Sequence, residues 1–480
     1  MYFFYSLVTA VGAILAAPYF LILGLRHGKY FHNLSERFGK LPARVHAGAY
    51  AAPDAIWVHA VSVGETLAAL PLVRRLKERF PGHRLVFSTT THTGQQLARA
   101  RLGDTGAVFY FPFDWSFTVR RAFRAVRPSV VVILETEIWP NFLRVASQNR
   151  VPVVFVNGRL SERSFRRYRS AFAWIGFFLR PFLRRVFATA SLFLMQSRED
   201  ADRLLSLGAP AEKVLVSGNL KYDQELPPSS PLADWLEAEA QRGKRRPLVV
   251  AGSVVANEEP LVLIAFGILQ GEWRDAFLVL APRNPERFEA AADFINESKR
   301  KFLRRSALVA QASAGAGEGV AGGAKDLHRL MSVLPGDVSV LLIDSVGELA
   351  GLYRAADAVF VGGSLVPSGG HNILEPAAFA KVPIFGPSME NFKEVAASFL
   401  AAGAAIEVHS PEDLGVAWIE LVKDAARREQ MGATAQRLVE SSRGATARTL
   451  ESISHFLSRT ESSGRVPVDG RTDPVEASQE

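Results

Sequence analysis

The chain has 480 residues, 48% hydrophobic and 22% charged, with a formal net charge of +8. That length accommodates two domains with sizeable cores, and the composition is that of a globular protein. Cysteine is absent, which excludes disulfides, thiolate zinc sites and cysteine nucleophiles, while the positive excess favours phosphates, nucleic acid or an anionic membrane surface as partners.

Met1 to Gly24 carry no charged side chain, and Arg26, His27 and Lys29 follow. About 20 apolar residues span a bilayer, so residues 1-25 are expected to form a membrane anchor helix. The cationic flank puts the rest of the chain in the cytoplasm. Pro18 and the glycines leave a shallow, interfacial anchor as the alternative.

Beyond a polar, basic stretch from Tyr30 to Tyr50, apolar runs at 56–60, 85–88, 129–134, 151–157, 192–196 and 214–217 read as strands. Helical patterns separate them, which argues for a parallel sheet covered on both faces. Residues 30-225 are therefore expected to form one doubly wound, Rossmann-like α/β domain. Leu226-Pro-Pro-Ser-Ser-Pro231 and the charged stretch 241–247 mark a junction. Runs at 248–251, 277–280, 338–343, 358–361 and 382–385 make 245-457 a second such domain, with a ligand cleft expected between the two. The Ala- and Gly-rich stretch 310–324 reads as a surface loop, and polar residues 458-480 as a disordered tail.

Candidate chemistry sits where strands end. After the first strand, Ser62-Val-Gly-Glu65 opens a helix, and Glu65 is either a general base on a hydroxyl or the glutamate of a capping box. The same pattern at Ser345-Val-Gly-Glu348 reads as a cap. Glu135-Thr-Glu-Ile-Trp-Pro-Asn141 ends another strand. In an extended chain Glu135 and Glu137 share one face, and each raises the other's pKa. From Gly158 to Arg185, cationic residues including Arg163, Arg166, Arg167 and Arg169 interleave with aromatics at helical spacing. That pattern suits a membrane-lying helix or a core stripe with solvated arginines. In the second domain, Gly252 and Ser253 end a strand, Arg283 ends the next, and Gly362-Gly-Ser-Leu-Val-Pro-Ser-Gly-Gly-His-Asn-Ile-Leu-Glu375 joins a strand to a helix. There Gly369, Gly370, His371, Asn372 and Glu375 read as an anion and sugar site, with free N–H groups at a helix start and Glu375 as hydroxyl acceptor. His59 reads as a packed histidine. No metal-ligand cluster, Walker loop or nucleic-acid recognition module is visible.

Taken together, His59-Ala-Val-Ser-Val-Gly-Glu65, Glu135 to Asn141, Ala281-Pro-Arg283, Asp344-Ser-Val-Gly-Glu-Leu349, Gly362-Gly-Ser364 and Gly369-Gly-His-Asn-Ile-Leu-Glu-Pro376 resemble the bacterial 3-deoxy-D-manno-octulosonic acid (Kdo) transferases of lipid A biosynthesis. The resemblance covers nearly the whole chain. It implies a GT-B fold and an inverting, metal-independent transfer without cofactor, from CMP-Kdo to a phosphorylated glycolipid acceptor at the cytoplasmic side of the inner membrane, with no nucleic acid partner. By the same resemblance Glu65, with Ser62 and Gly64 around it, is the general base, and Glu135 and Glu137 lie beside it. Arg283 and Gly369 to Glu375 then hold the CMP portion. Two departures stand out: Val254-Val255 replaces the family's Thr-His, and Asn284 replaces a His and cannot carry positive charge. The alternatives are a GT-B enzyme using a UDP-sugar, or a non-catalytic, membrane-tethered nucleotide-binding protein in which Glu65 is only a cap.

Overall fold

The computed structural model describes residues 1–27, 34–46, 54–103, 106–160, 162–223, 230–241, 246–308 and 337–462. The Ala- and Gly-rich stretch and most of the tail lie outside them. The chain divides into two units, Met1–Gln224 with Arg443–Glu480, and Glu225–Ser442. Each is a parallel seven-stranded sheet with helices, as the alternating pattern predicts.

The first sheet comprises β1 (Ala55–Ala60), β2 (Arg84–Thr89), β3 (Ala107–Tyr110), β4 (Pro128–Leu134), β5 (Val153–Gly158), β6 (Leu192–Met195) and β7 (Val214–Val216). Its order is β3-β2-β1-β4-β5-β6-β7. Every residue of β1 and β4 is buried, because helices cover both faces. Alternation along β1 sends Trp57 into one core, with Phe109, Phe123 and Phe142, and Ile56 and Val58 into the other, with Leu72 and Val73.

The second sheet comprises β8 (Leu248–Val254), β9 (Phe277–Pro282), β10 (Phe302–Arg304), β11 (Val340–Leu342), β12 (Ala358–Val361), β13 (Pro383–Phe385) and β14 (Ile406–Glu407). Its order is β10-β11-β9-β8-β12-β13-β14. Three strands are absent from the sequence reading: β3, β10 and β14. All three are sheet edges; β10 and β14 are short, incompletely covered and show no long apolar run, whereas β3 lies in the apolar run Ala107-Val-Phe-Tyr-Phe111 and is mostly buried.

The expected domain boundaries need correction at two places. Helix Pro231–Gln241, read as part of the junction, belongs to the second unit. Its Asp234 and Glu237 both pair with Arg354, and its Trp235 is fully buried. The second domain was expected to run to 457, yet helix Ala445–Ser462 packs on the first sheet. Its Ala445, Ile453 and Leu457 enter the Ile56 core, and Asp223 accepts the N–H groups of Gly444 (2.6 Å) and Thr446.

Helix Tyr2–His27 opens the chain. Among the described residues no helix is long and apolar enough to cross a membrane, so the expected spanning anchor is not part of the described structure. The first turns instead dock on the first unit. Asn141 Nδ2 donates to Ser6 Oγ at 2.9 Å, Tyr2 and Tyr5 pack against Phe182, and Arg144 lies over the Tyr2 ring. Asp114 accepts from the N–H groups of Asn141 and Phe142 at 3.0 and 2.7 Å and from the Tyr5 hydroxyl, while burial pushes its carboxyl up to about 6. The other side of the helix is a bare apolar stripe: Phe3, Phe4, Leu7, Val8, Val11, Ile14 and Leu15 are all exposed.

Candidate functional sites

In each sheet the strand order reverses beside the first strand, between β1 and β4 and between β8 and β12. Ligands of open α/β sheets bind at such points, beyond the C-terminal strand ends. The candidate residues of both units lie there.

In the first unit the loop after β1 leads into helix Val63–Arg79, with Ser62 as N-cap. The Glu65 N–H donates to Ser62 Oγ (3.3 Å), the Ser62 hydroxyl to Glu65 Oε1 (2.8 Å) and the Val61 N–H to Glu65 Oε2 (2.7 Å). The capping box is thus formed, but it uses only part of the acceptor capacity of a carboxylate. Burial raises the Glu65 pKa, the Val61 and Ser62 bonds oppose the rise, and the Glu137 charge adds to it. Burial likewise raises Glu137, helped by Glu135. The three carboxylates form one electrostatic group.

The route by which Glu135 and Glu137 meet differs from the extended chain expected. β4 ends at Leu134, and Glu135 turns with φ 55°. Such a left-handed non-glycine residue costs on the order of 1–3 kcal/mol. The turn is held by the Glu135 N–H on Val156 O at 2.9 Å and by Thr136, whose hydroxyl bonds Arg159 O and accepts the Arg159 N–H. Asn141, at the end of the motif, is structural: its N–H and its side-chain amide are taken by Asp114 and Ser6. His59 is packed, as read. It stacks on Phe111 at 3.9 Å, bonds Ser88 Oγ at 2.9 Å, and burial lowers its pKa to about 3.

The basic, aromatic stretch falls in helix Glu162–Thr189. Arg166 and Arg167 are exposed, whereas the Arg163 and Arg169 side chains and those of 171–179 lie outside the described residues. Farther along, Phe182, Leu183, Val186 and Phe187 enter the core, so that part of the stripe is packing.

In the second unit β8 continues past Gly252 through a bulge to Val254, with Ser253 at φ 55°. Gly252 is required by a neighbour: a Cβ there would lie 2.1 Å from the Tyr353 hydroxyl. Arg283, exposed at the end of β9, donates its N–H to Val254 O at 2.8 Å. Its charge reaches three buried or half-buried groups. Burial lowers His371 to about 4, helped by Arg283. Burial raises Glu375 and Tyr353, and Arg283 opposes both rises. Arg283, His371 and Glu375, predicted separately, are thus brought together, and Tyr353 joins them. Gly252 and Ser253 lie on the adjoining strand end. Ser345-Val-Gly-Glu348, expected to be a cap, is not one: the Ser345 hydroxyl bonds the Glu348 carboxylate, which also pairs with Arg305 at 2.7 Å, and no side chain caps the helix Leu349–Leu352 that follows.

The glycine-rich loop differs from the expected open anion cradle. Gly363, Ser364 and Leu365 donate their N–H groups to the buried Glu258, Gly369 to Ser388 Oγ, and Gly370 to Gly363 O. Its glycines admit the protein's own groups: Cβ atoms at Gly363, Gly369 and Gly370 would meet His371, Asn391 and Met389. Asn372 accepts the Leu374 N–H at 3.1 Å and donates to Glu375 at 3.2 Å, but it stands one residue before the N-cap, Ile373, and helix Leu374–Ala377 is a single turn. Glu258 and Tyr353 have no sequence signal that separates them from an ordinary cap and an ordinary core aromatic. Among the described residues no cluster of three or more His, Asp or Glu is placed to hold a metal ion.

Residues 32–224 match the family model described as 3-deoxy-D-manno-octulosonic-acid transferase. The chain is 32% identical to the 3-deoxy-D-manno-octulosonic acid transferase of Haemophilus influenzae, across 95% of this chain and 99% of that one. Its identity to the transferase of the same name from Bordetella pertussis is 34%, across 88% and 91%. Among solved structures, a protein of Listeria monocytogenes assigned as a UDP-N-acetylglucosamine 2-epimerase superposes with a TM-score of 0.50 at 14% identity, covering 85% of this chain and 98% of that one. At that identity the likeness bears on the fold alone.

Proposed function

Because the chain belongs to the family of 3-deoxy-D-manno-octulosonic acid transferases, and is thus a glycosyltransferase that transfers Kdo, we propose that its donor is CMP-Kdo, its acceptor a phosphorylated lipid A precursor, and its fold the GT-B type. The observation that carries the mechanism is Glu65: a carboxylate held by two donors at a sheet switch point, with its pKa raised. A base tuned upward toward neutrality accepts a proton more readily during reaction. Glu65 takes the proton of the acceptor hydroxyl, and the hydroxyl oxygen attacks the anomeric carbon of Kdo. The bond from that carbon to the phosphate oxygen breaks, and its electron pair leaves with CMP, inverting the centre. Arg283 stabilises the phosphate charge, and Glu375 accepts a ribose hydroxyl. The test is mass spectrometry of the products from CMP-Kdo and a tetra-acylated, bis-phosphorylated lipid A precursor, with EDTA present. Mass gains of one or more Kdo units support the reading. No gain from folded protein, or a gain only with a UDP-sugar, overturns it.

Replacing Glu137 by Gln removes a like charge that raises the Glu65 pKa. The base works deprotonated, so activity falls as pH drops through its pKa. The acid limb of log kcat/KM against pH should therefore move to lower pH in the variant. An unmoved limb, or one moved upward, would separate Glu137 from the base.

The apolar stripe of the N-terminal helix supports location on the cytoplasmic side of the inner membrane, the helix lying in the interface rather than across it. Arg166 and Arg167 suit anionic head groups. A Val8→Glu, Ile14→Glu double variant should lose sedimentation with anionic vesicles and retain turnover on detergent-dispersed acceptor. Retained vesicle binding would count against the stripe.

A further inference from the structure

Glu258 carries a buried carboxylate beside the second unit's switch point that the transfer reaction does not use. It is wholly buried. Oε2 accepts the N–H groups of Gly363 (2.6 Å) and Val255 (3.1 Å), and Oε1 those of Ser364 and Leu365 (both 2.8 Å). A buried carboxylate needs donors in place of the water it loses, and Glu258 has four. Successive N–H groups turned toward one point form an anion-binding nest. Here the group that fills the nest is a side chain of the protein itself.

We propose that Glu258 is the positioning residue of the donor loop: it fills the nest formed by Gly363 to Leu365, so the donor phosphate is met elsewhere in the site. This rests on the donor reading given above. The path from Glu258 to the site is short. Gly363, fixed through its N–H, accepts the Gly370 N–H on its carbonyl at 2.7 Å. The His371 ring packs against Gly363, where a Cβ would lie 2.8 Å from it. Asn372 and Glu375 follow directly and bond each other. Glu258 also ties β8 to β12, since Val255 follows β8 and the loop follows β12. The neighbouring Val254 carbonyl receives the N–H of Arg283. Glu258 thereby ties the end of β8, on which Arg283 rests, to the loop after β12 that carries both His371 and Glu375.

Amide hydrogen exchange of the wild-type protein tests the assignment without any substitution. The amides of Gly363, Ser364 and Leu365 should exchange slowly in the absence of ligand and change little when CMP is added. Fast exchange that CMP then suppresses would mean that the phosphate, not Glu258, occupies the nest, and would overturn the proposal. Glu258→Gln turns an amide NH2 toward backbone donors. The donor KM and the CMP dissociation constant should rise about tenfold, the scale of one charge-assisted hydrogen bond, with the acceptor KM unchanged. Glu258→Asp, which keeps the charge on a shorter arm, should fall between wild type and Gln, and it replaces the Gln variant if that one does not fold. A lower melting temperature with unaltered kinetics per folded molecule would reduce Glu258 to a structural role. Tighter CMP binding by the Gln variant would show that the freed N–H groups bind the phosphate. Wild-type protein that binds no CMP yet protects these amides would count against the donor reading and not against Glu258.

Discussion

Glu65→Gln is expected to lower turnover by about 10²–10⁴-fold, the usual contribution of a general base, while the melting temperature stays nearly unchanged. The two outcomes separate because the carboxylate has two roles. As a cap it needs an acceptor for the Val61 N–H and a partner for the Ser62 hydroxyl, and a glutamine supplies both, as in other capping boxes. As a base it needs a lone pair that takes a proton at working pH, and an amide has none. Thermal unfolding, CMP titration and initial rates on the same preparation read the roles independently. Unaltered turnover would leave Glu65 as a cap. A large stability loss with proportionate loss of activity would make the cap the whole explanation.

The second large effect is structural. Gly362→Ala should destabilise the second unit by about 3 kcal/mol or more, the upper range for forcing a group into packed surroundings. The added Cβ would lie 2.6 Å from Ser253 O, 2.7 Å from Val254 Cα and 2.9 Å from Glu258 Oε2. Two of these contacts are β8 backbone. That backbone is fixed by the Gly362 N–H bond to Gly252 O at 2.8 Å and by the register of Val361 with Gly252, so neither side yields without opening the sheet. Urea unfolding together with CMP binding measures it. Gly271→Ala is the control: no atom lies within 4 Å of its added Cβ, it sits in helix Glu259–Glu272, and it should be neutral or stabilising by up to about 1 kcal/mol. Equal behaviour of the two variants would refute the steric argument.

What was legible in the sequence follows from how each feature is built. Interior strands such as β1, β4, β8 and β12 are buried on both faces and announce themselves as unbroken apolar runs. Edge strands β10 and β14 carry no such signal. The candidate site residues could be nominated because a doubly wound sheet puts loop residues just past apolar runs, a rule that needs only position. Their conformations were not found. The Glu135 turn depends on Thr136 meeting Arg159 across more than twenty residues, and the filling of the glycine-rich nest depends on Glu258, more than one hundred residues upstream. Periodicity sees neither partner. The capping box at Glu65 was legible because all its atoms lie within five residues.

Helix Ala445–Ser462 has a consequence for the order in which the protein is made. The first unit is closed by residues that leave the ribosome after the whole second unit: Ile453 and Leu457 complete the core of Ile56 and Val58, and Asp223 waits for Gly444 and Thr446. At roughly 5–20 residues per second of synthesis, the part of that face which this helix covers, beside what helix Val63–Arg79 already covers, stays open for on the order of 10–50 seconds. A chain terminated just after Ser442 would be more than a shortened enzyme: it would lose Ala445, Ile453 and Leu457 from the Ile56 core and leave part of that sheet face open.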